Sequence, residues 1–255
     1  MEVDPTILAI YRSLDLIGVL LNGAIGGTIA RQRRFDIVGF SILAVSAALG
    51  GGMIRDTLLQ RGTPAAIQEP IYLGMAIVGG LIAWVTNLDG RWWDLFKVHG
   101  DSIVLGVWAV TGSMKAMTLN VHPVPAVLMG VITAIGGGMV RDVLTGSIPV
   151  VFGGNTLYAV PAFLSACVMV VAYLEGQVAL GMIVAAVLGS GIAIAAYWRG
   201  WSLNNDPQWA PVNMTTAQLR RALRRAEKRG EAAGKAQGFE EGYEEGFGEG
   251  VEAAK

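Results

Sequence analysis

The string Gly-Gly-Gly-Met-Ile-Arg-Asp at positions 50–56 returns as Gly-Gly-Gly-Met-Val-Arg-Asp at positions 136–142, each time inside a long apolar run. A shift of 86 residues (136 − 50) superposes the two strings and aligns residues 15–56 with residues 101–142 without a gap. Thirteen of those 42 positions are identical, among them Asp15/Asp101, Gly26/Gly112 and Ala30/Ala116. Apolar helices resemble one another by chance in composition, but not in an ordered string that ends in two charges. The chain therefore carries two copies of one unit.

The apolar runs define that unit. Crossing a hydrocarbon layer of about 30 Å takes roughly twenty mostly apolar residues, and seven runs reach that order: 7–30, 36–59, 70–86, 95–118, 123–144, 156–174 and 178–198. They are too long for strands and lack alternation. A chain that is 53% apolar and 15% charged falls well outside soluble composition. The expected fold is an all-α integral membrane protein: a first three-helix repeat at 1–94, a second at 95–176, a seventh helix at 177–199 and a tail at 200–255. Because three spans is an odd number, a direct repeat of three helices enters the membrane in opposite senses. This inverted plan is common among transporters and some channels.

Positive charge sets the expected orientation. The first and third connectors, the start of the fourth helix and the C-terminal flank carry Arg31, Arg33, Arg34, Arg91, Lys97 and Arg199, against Arg12 and Arg61 on the other side. By the positive-inside rule the N-terminus is outside and the tail cytoplasmic, in a cell (inner) membrane. The acidic start, Met-Glu-Val-Asp, reads as a retained helix rather than a secretory signal. The lone Cys167 excludes a disulfide framework and is expected to be buried and inert.

Three successive glycines cost a helix roughly a kilocalorie each relative to alanine and shield the backbone poorly. In hydrocarbon that backbone needs protein or a water-filled cavity around it. Gly50, Gly51 and Gly52, with Gly136, Gly137 and Gly138, are thus expected to mark kinks in the second and fifth spans beside a hydrated path. The competing reading is close helix packing through small residues. Each triplet is followed by a charged pair, Arg55-Asp56 and Arg141-Asp142. Intramembrane charges are costly unless paired or hydrated, and adjacent helical residues point to different faces. Ion pairs Asp15–Arg55 and Asp101–Arg141 are therefore expected, with snorkelling of the arginines to the interfaces as the alternative. Lys115, whose counterpart is Ile29, breaks the symmetry. It reads either as a snorkelling side chain or as a fixed positive charge near the outer mouth.

No nucleophile with a base, phosphate loop or paired catalytic carboxylates is present, so no enzyme and no cofactor is expected. His99 and His122 stand at helix edges without metal-ligand spacing, so no metal site or nucleic-acid partner is expected either. In the tail, Arg220, Arg221, Arg224, Arg225, Lys228 and Arg229 suit either anionic lipid or a solvated helix. Beyond them Gly238, Gly242, Gly246 and Gly250, each trailed by a large side chain, suit a helix contact or disorder.

With these residues in place the sequence resembles a known family. The two glycine strings, the opening Ser13-Leu14-Asp15-Leu16-Ile17-Gly18, and Gly100-Asp101 through Gly112-Ser113-Met114-Lys115-Ala116 are similar to the bacterial branch of the trimeric intracellular cation channels, whose domain also carries a glycine-transporter label. The resemblance spans roughly residues 7–198. It implies a homotrimer with a pore in each protomer passing potassium and other monovalent cations such as sodium. It further implies that the triplets are the kinks of the pore-lining helices and Lys115 the basic residue of the fourth span. Without the resemblance a secondary transporter of a small zwitterion such as glycine stays equally open. A scaffold that recruits partners through its tail is the third reading. No TVGYG-like filter is present, so weak selectivity is expected of a channel. The seventh span, with Gly181, Gly189, Ser190 and Gly191, could pack within or between protomers.

Overall fold

The computed structural model describes residues 5–60, 62–86, 88, 90–152, 157–202 and Arg224. The chain divides into two compact units, residues 1–205 and 206–255. Of the second unit only Arg224 is described, exposed and helical. The rest of the basic segment at 220–229 and the glycine repeat from Gly238 to Gly250 lie outside the described residues.

The first unit is all helical, with no strand among the described residues: α1 (Pro5–Gln32), α2 (Ile37–Leu59), α3 (Ala65–Gln68), α4 (Pro70–Val85), α5 (Gly90–Thr118), α6 (Pro123–Leu144), α7 (Ala159–Leu174) and α8 (Val178–Arg199), with a 3-10 turn at Val150–Phe152. Local chemistry sets the boundaries. Asp36 Oδ1 accepts from Gly39 N at 2.7 Å and caps α2. Proline opens both α4 and α6, where its missing N–H has no helical acceptor to lose. Gly200, at φ +64°, closes α8 in the left-handed conformation that glycine takes at little cost.

Helix lengths repeat as the sequence does: 28, 23 and 16 residues for α1, α2 and α4, then 29, 22 and 16 for α5, α6 and α7. Within each half the three helices pack on one another; between halves α2 meets α6 and α1 meets α5, like on like. α8 packs against α5 and α7. Four helices, α1, α2, α6 and α8, are long and apolar enough to cross a membrane. α4 and α7 are apolar but, at 16 residues, shorter than the roughly 20 a perpendicular span takes. α5 has ample length but carries Asp101 and Lys115 along its course. Large apolar side chains point outward along the bundle, for example Ile37, Ile42 and Leu58 on α2 and Leu180, Ile183 and Val187 on α8. Together these features make the first unit an all-α integral membrane protein.

Hydrophobic burial does not drive helices together in lipid, because the tails are as apolar as leucine; close van der Waals packing does. The crossings are accordingly lined with small residues. A Cβ built on Gly26 would come within 2.9 Å of Ala47 Cβ, and one on Gly112 within 2.7 Å of Thr133 Cβ. Those are equivalent positions in the two halves (112 − 26 = 133 − 47 = 86). In α8, a Cβ on Gly189 would lie 2.7 Å from Ser165 Cβ, and Gly181 abuts Ala172. Ser190 faces Gly106 of α5. These three small residues pack inside the protomer, whereas Gly191 has nothing within 4 Å. Cys167 is half-buried rather than buried.

Candidate functional site

Helical structure runs unbroken through both glycine triplets. The second copy of each triplet explains the first. A Cβ on Gly51 would strike the carbonyl oxygen of Thr133, and one on Gly137 the carbonyl oxygen of Ala47. A Cβ on Gly136 would lie 2.8 Å from Gly51 Cα. Since residue 51 meets 133 while 47 meets 137, α2 and α6 run antiparallel and cross backbone to backbone at the triplets. The break expected from the sequence is a contact: only glycine lets two helix backbones approach this closely.

The last glycine of each triplet does something else. Cβ atoms on Gly52 and Gly138 would meet only the Nη2 of Arg55 at 3.9 Å and of Arg141 at 3.7 Å. Both glycines line cavities that hold charged side chains. The first, about 40 Å³, is lined by Asp15, Gly52, Arg55, Asp56, Tyr72 and Trp108 among others. The second, about 330 Å³, includes Asp101, Gly138, Arg141, Asp142, Tyr158 and Tyr197 in its lining. Five residues of each set are related by the same 86-residue shift. Because α2 and α6 are antiparallel, the cavities lie on opposite sides of the crossing.

The charges inside pair differently from the sequence expectation. Arg55 Nε donates to Asp56 Oδ1 at 2.7 Å, and Arg141 donates to Asp142 Oδ1 through Nε at 2.9 Å and Nη2 at 2.8 Å. Adjacent positions diverge around a helix, but the arginine stem is long enough to bring its head back to a neighbouring carboxylate. Each aspartate is also tied to the chain that follows its helix: Asp56 Oδ2 accepts from Ala65 N at 3.0 Å, and Asp142 Oδ2 from Val150 N at 3.1 Å. The expected pairs Asp15–Arg55 and Asp101–Arg141 are not formed, and with side chains only 11% and 14% exposed the arginines do not snorkel to water.

Asp15 and Asp101 instead accept from uncharged donors. Tyr72 Oη donates to Asp15 Oδ2 at 2.6 Å and Tyr158 Oη to Asp101 Oδ2 at 2.8 Å, again one motif used twice. Neither tyrosine belongs to the sequence-derived site. Continuing the 86-residue alignment past Asp56 would have found them, because Tyr72 falls on Tyr158 in otherwise apolar helices.

The halves differ at two places. Trp108, on α5, donates from Nε1 to Asp15 Oδ1 at 2.7 Å and fills the first cavity; its counterpart Asn22 turns to its own helix and donates to Gly18 O. Lys115 Nζ lies 2.8 Å from Asp56 Oδ1, whereas its counterpart Ile29 offers no charge to the other side. In the first cavity region two carboxylates, Asp15 and Asp56, face two cations, Arg55 and Lys115; in the second, Asp101 and Asp142 face Arg141, with Lys97 also acting on Asp101. The histidines have structural partners: Trp198 Nε1 donates to His99 Nε2 at 3.1 Å, and His122 accepts from Val124 N at the start of α6. No cluster of metal-ligating side chains occurs among the described residues.

Comparison with known proteins finds the same duplication. The sequence model of the family described as Glycine transporter matches residues 12–87 and again 99–173. The chain is 33% identical over 180 residues to the UPF0126 inner membrane protein YadS of Escherichia coli, covering 67% of this chain and 86% of that one. It is 32% identical over 150 residues to a UPF0126 membrane protein of Deinococcus radiodurans, covering 58% and 70%. Among solved structures, the TRIC trimeric intracellular cation channel orthologue from Rhodobacter sphaeroides matches with a TM-score of 0.69 at 28% identity, over 75% of this chain and 99% of that one. A second structure, described in terms of conductance through TRIC cation channels, matches with a TM-score of 0.70 at 27% identity, over 78% and 98%. With its family match split over two equivalent stretches and its helices superposing on those structures, the chain belongs to the glycine-transporter-domain family and, within it, to the bacterial TRIC proteins.

Proposed function

We propose that this protein is a passive channel for monovalent cations, potassium among them, with one conduction path in each protomer of a homotrimer. The observation that carries the reading is the pair of cavities on opposite sides of the α2–α6 glycine crossing, each lined by the same set of charged and tyrosine side chains. Each cavity ends against backbone that only glycine leaves uncovered. Ions hydrated in the cavities would have to pass the crossing, so a small separation of α2 from α6 serves as the gate. The Asp101 carboxyl group, in no ion pair among the described residues, gives the larger cavity oxygens that a hydrated cation can meet. Weak selectivity follows from the absence of a filter that strips hydration. The solved TRIC structures, described as cation channels, support the same reading.

In this scheme residues 1–94 and 95–176 are the two inverted repeats, residues 177–199 the seventh span and residues 200–255 the tail. By the positive-inside rule, the N-terminus in this scheme is outside and the tail cytoplasmic, in an inner membrane. The basic stretch at 220–229 then faces anionic lipid headgroups.

One observation favours a second reading, a secondary transporter of a small zwitterion such as glycine. The cavities are unequal, about 330 against 40 Å³, as in a carrier open to one side. Reconstitution in a planar bilayer separates the two. Discrete currents in potassium salts without any solute support the channel; electrical silence combined with saturable uptake of radiolabelled glycine would overturn it.

A further inference from the structure

The two cavities are lined by matched residues, yet one measures about 40 Å³ and the other about 330 Å³. At roughly 30 Å³ of liquid volume per water, the first has room for about one water and the second for about eleven. Trp108 supplies the missing bulk. It is buried, and it lines the smaller cavity together with Gly52 and Thr133 at the crossing and with Ala65 and Ala66 beyond the end of α2. Its counterpart Asn22 does not line the larger cavity and spends its amide on Gly18 O of its own helix, at 3.2 Å.

The sequence shows why only one half seats an indole. A Cβ on Gly18 would lie 3.2 Å from Trp108 Cζ2, so the ring rests against bare backbone. The residue equivalent to Gly18 is Val104 (18 + 86 = 104), and the matching place opposite Asn22 therefore carries a branched side chain. The indole also occupies Asp15. Oδ1 of that carboxyl accepts from Trp108 Nε1 at 2.7 Å and Oδ2 from Tyr72 Oη at 2.6 Å, so both oxygens are engaged. Asp101 is bonded through Oδ2 to Tyr158, and its Oδ1 has no hydrogen-bond partner among the described residues.

Resting on the channel reading, we propose that Trp108 sets the rate of conduction. A monovalent cation carries a shell of several waters, which the larger cavity admits and the smaller one does not. To pass the ring the ion must give up water where Asp15, with both oxygens taken, has none to offer in exchange. The larger cavity, with its open Asp101 oxygen, gathers ions; the smaller one limits their passage.

Trp108→Asn, which copies the other half, tests this in the full-length protein through two readouts. One is unitary potassium conductance in planar bilayers. The other, which needs no current, is the rate at which the cysteine of Gly52→Cys, in a Cys167→Ser background, reacts in detergent with a small charged thiol reagent. Both should rise severalfold, as the smaller cavity goes from about one water toward the eleven of its twin. Trp108→Phe, which keeps most of the bulk, should fall between wild type and Trp108→Asn. Should Trp108→Asn fail to elute like wild type, Trp108→Leu, apolar and smaller than the indole, makes the same comparison. A conducting wild type with neither rate changed in the variant would overturn the proposal and make the ring a packing residue only. Faster cysteine reaction with unchanged conductance would also overturn it, because the ring would then fill the cavity without limiting conduction. Silence in wild type and variant alike would sink the channel reading itself, a result told apart from the others by the missing wild-type current.

Discussion

Alanine substitution at successive positions of one glycine triplet should give opposite results. Replacing Gly51 puts a Cβ into the carbonyl oxygen of Thr133 and 3.1 Å from Gly137 N; replacing Gly136 puts one 2.8 Å from Gly51 Cα. Carbon atoms in ordinary contact sit about 3.5–4.0 Å apart. The helices must therefore separate by about 0.7 Å or more (3.5 − 2.8) for Gly136→Ala. The obstructing atoms are backbone and cannot rotate away, so the cost lies toward the upper part of the usual overpacking range, about 2–3 kcal/mol. Alanine's better helix propensity returns about 1 kcal/mol, leaving a net loss of about 1–2 kcal/mol. At about 2–4 °C per kcal/mol for a chain of this size, the thermal midpoint should fall by about 2–8 °C. Gly52→Ala and Gly138→Ala meet only the flexible end of an arginine, at 3.9 and 3.7 Å. With no obstruction, the propensity gain of up to about 1 kcal/mol survives, and the midpoint should hold or rise by up to about 4 °C. Thermal unfolding of the four purified variants in one detergent, followed by intrinsic fluorescence, makes the comparison. A Gly51→Ala protein that melts at or above wild type would refute the backbone crossing.

The remaining predictions concern the polar contacts. Tyr158→Phe should destabilise by about 1–3 kcal/mol, because it takes away the Tyr158 hydroxyl that Asp101 accepts from. Tyr72→Phe should cost less, since Asp15 keeps Trp108 Nε1; equal losses in denaturation would argue against the asymmetry. A double-mutant cycle of Lys115→Met with Asp56→Asn should give a coupling of only about 0.5–1 kcal/mol, since the lysine side chain is 40% exposed. The cycle Asp15→Asn with Arg55→Gln should show coupling near zero, and a value above about 1 kcal/mol would restore the pair expected from sequence. Ile29→Lys should place a second ammonium toward the larger cavity and lower potassium current in bilayers; an unchanged current would mean that charge there does not govern permeation.

Much of the architecture is legible in the sequence, because membrane spans leave long apolar runs and the glycine strings mark the duplication directly. Among the described residues, the seven long helices fall within a few residues of their apolar runs. Side-chain partners are harder to read. That Arg55 turns back to Asp56 depends on Asp56 being anchored by Ala65 N beyond the end of α2, a loop contact that helical periodicity does not encode. Similarly, that Gly51 packs while Gly52 faces a cavity depends on how α2 is rotated against α6. A run of three glycines has no side-chain pattern to reveal that rotation. Tyr72 and Tyr158 were readable in principle, since each repeats the other across the 86-residue shift.

Two opposed cavities meeting at the glycine crossing form the proposed ion path. Cysteine accessibility is the decisive test. In a Cys167→Ser background, Gly52→Cys and Gly138→Cys are reconstituted in planar bilayers and exposed to a membrane-impermeant, positively charged thiol reagent from one side at a time. The two cysteines should react from opposite sides, and either modification should reduce potassium current. Reaction of both from the same side, or full modification with no change in current, would contradict it.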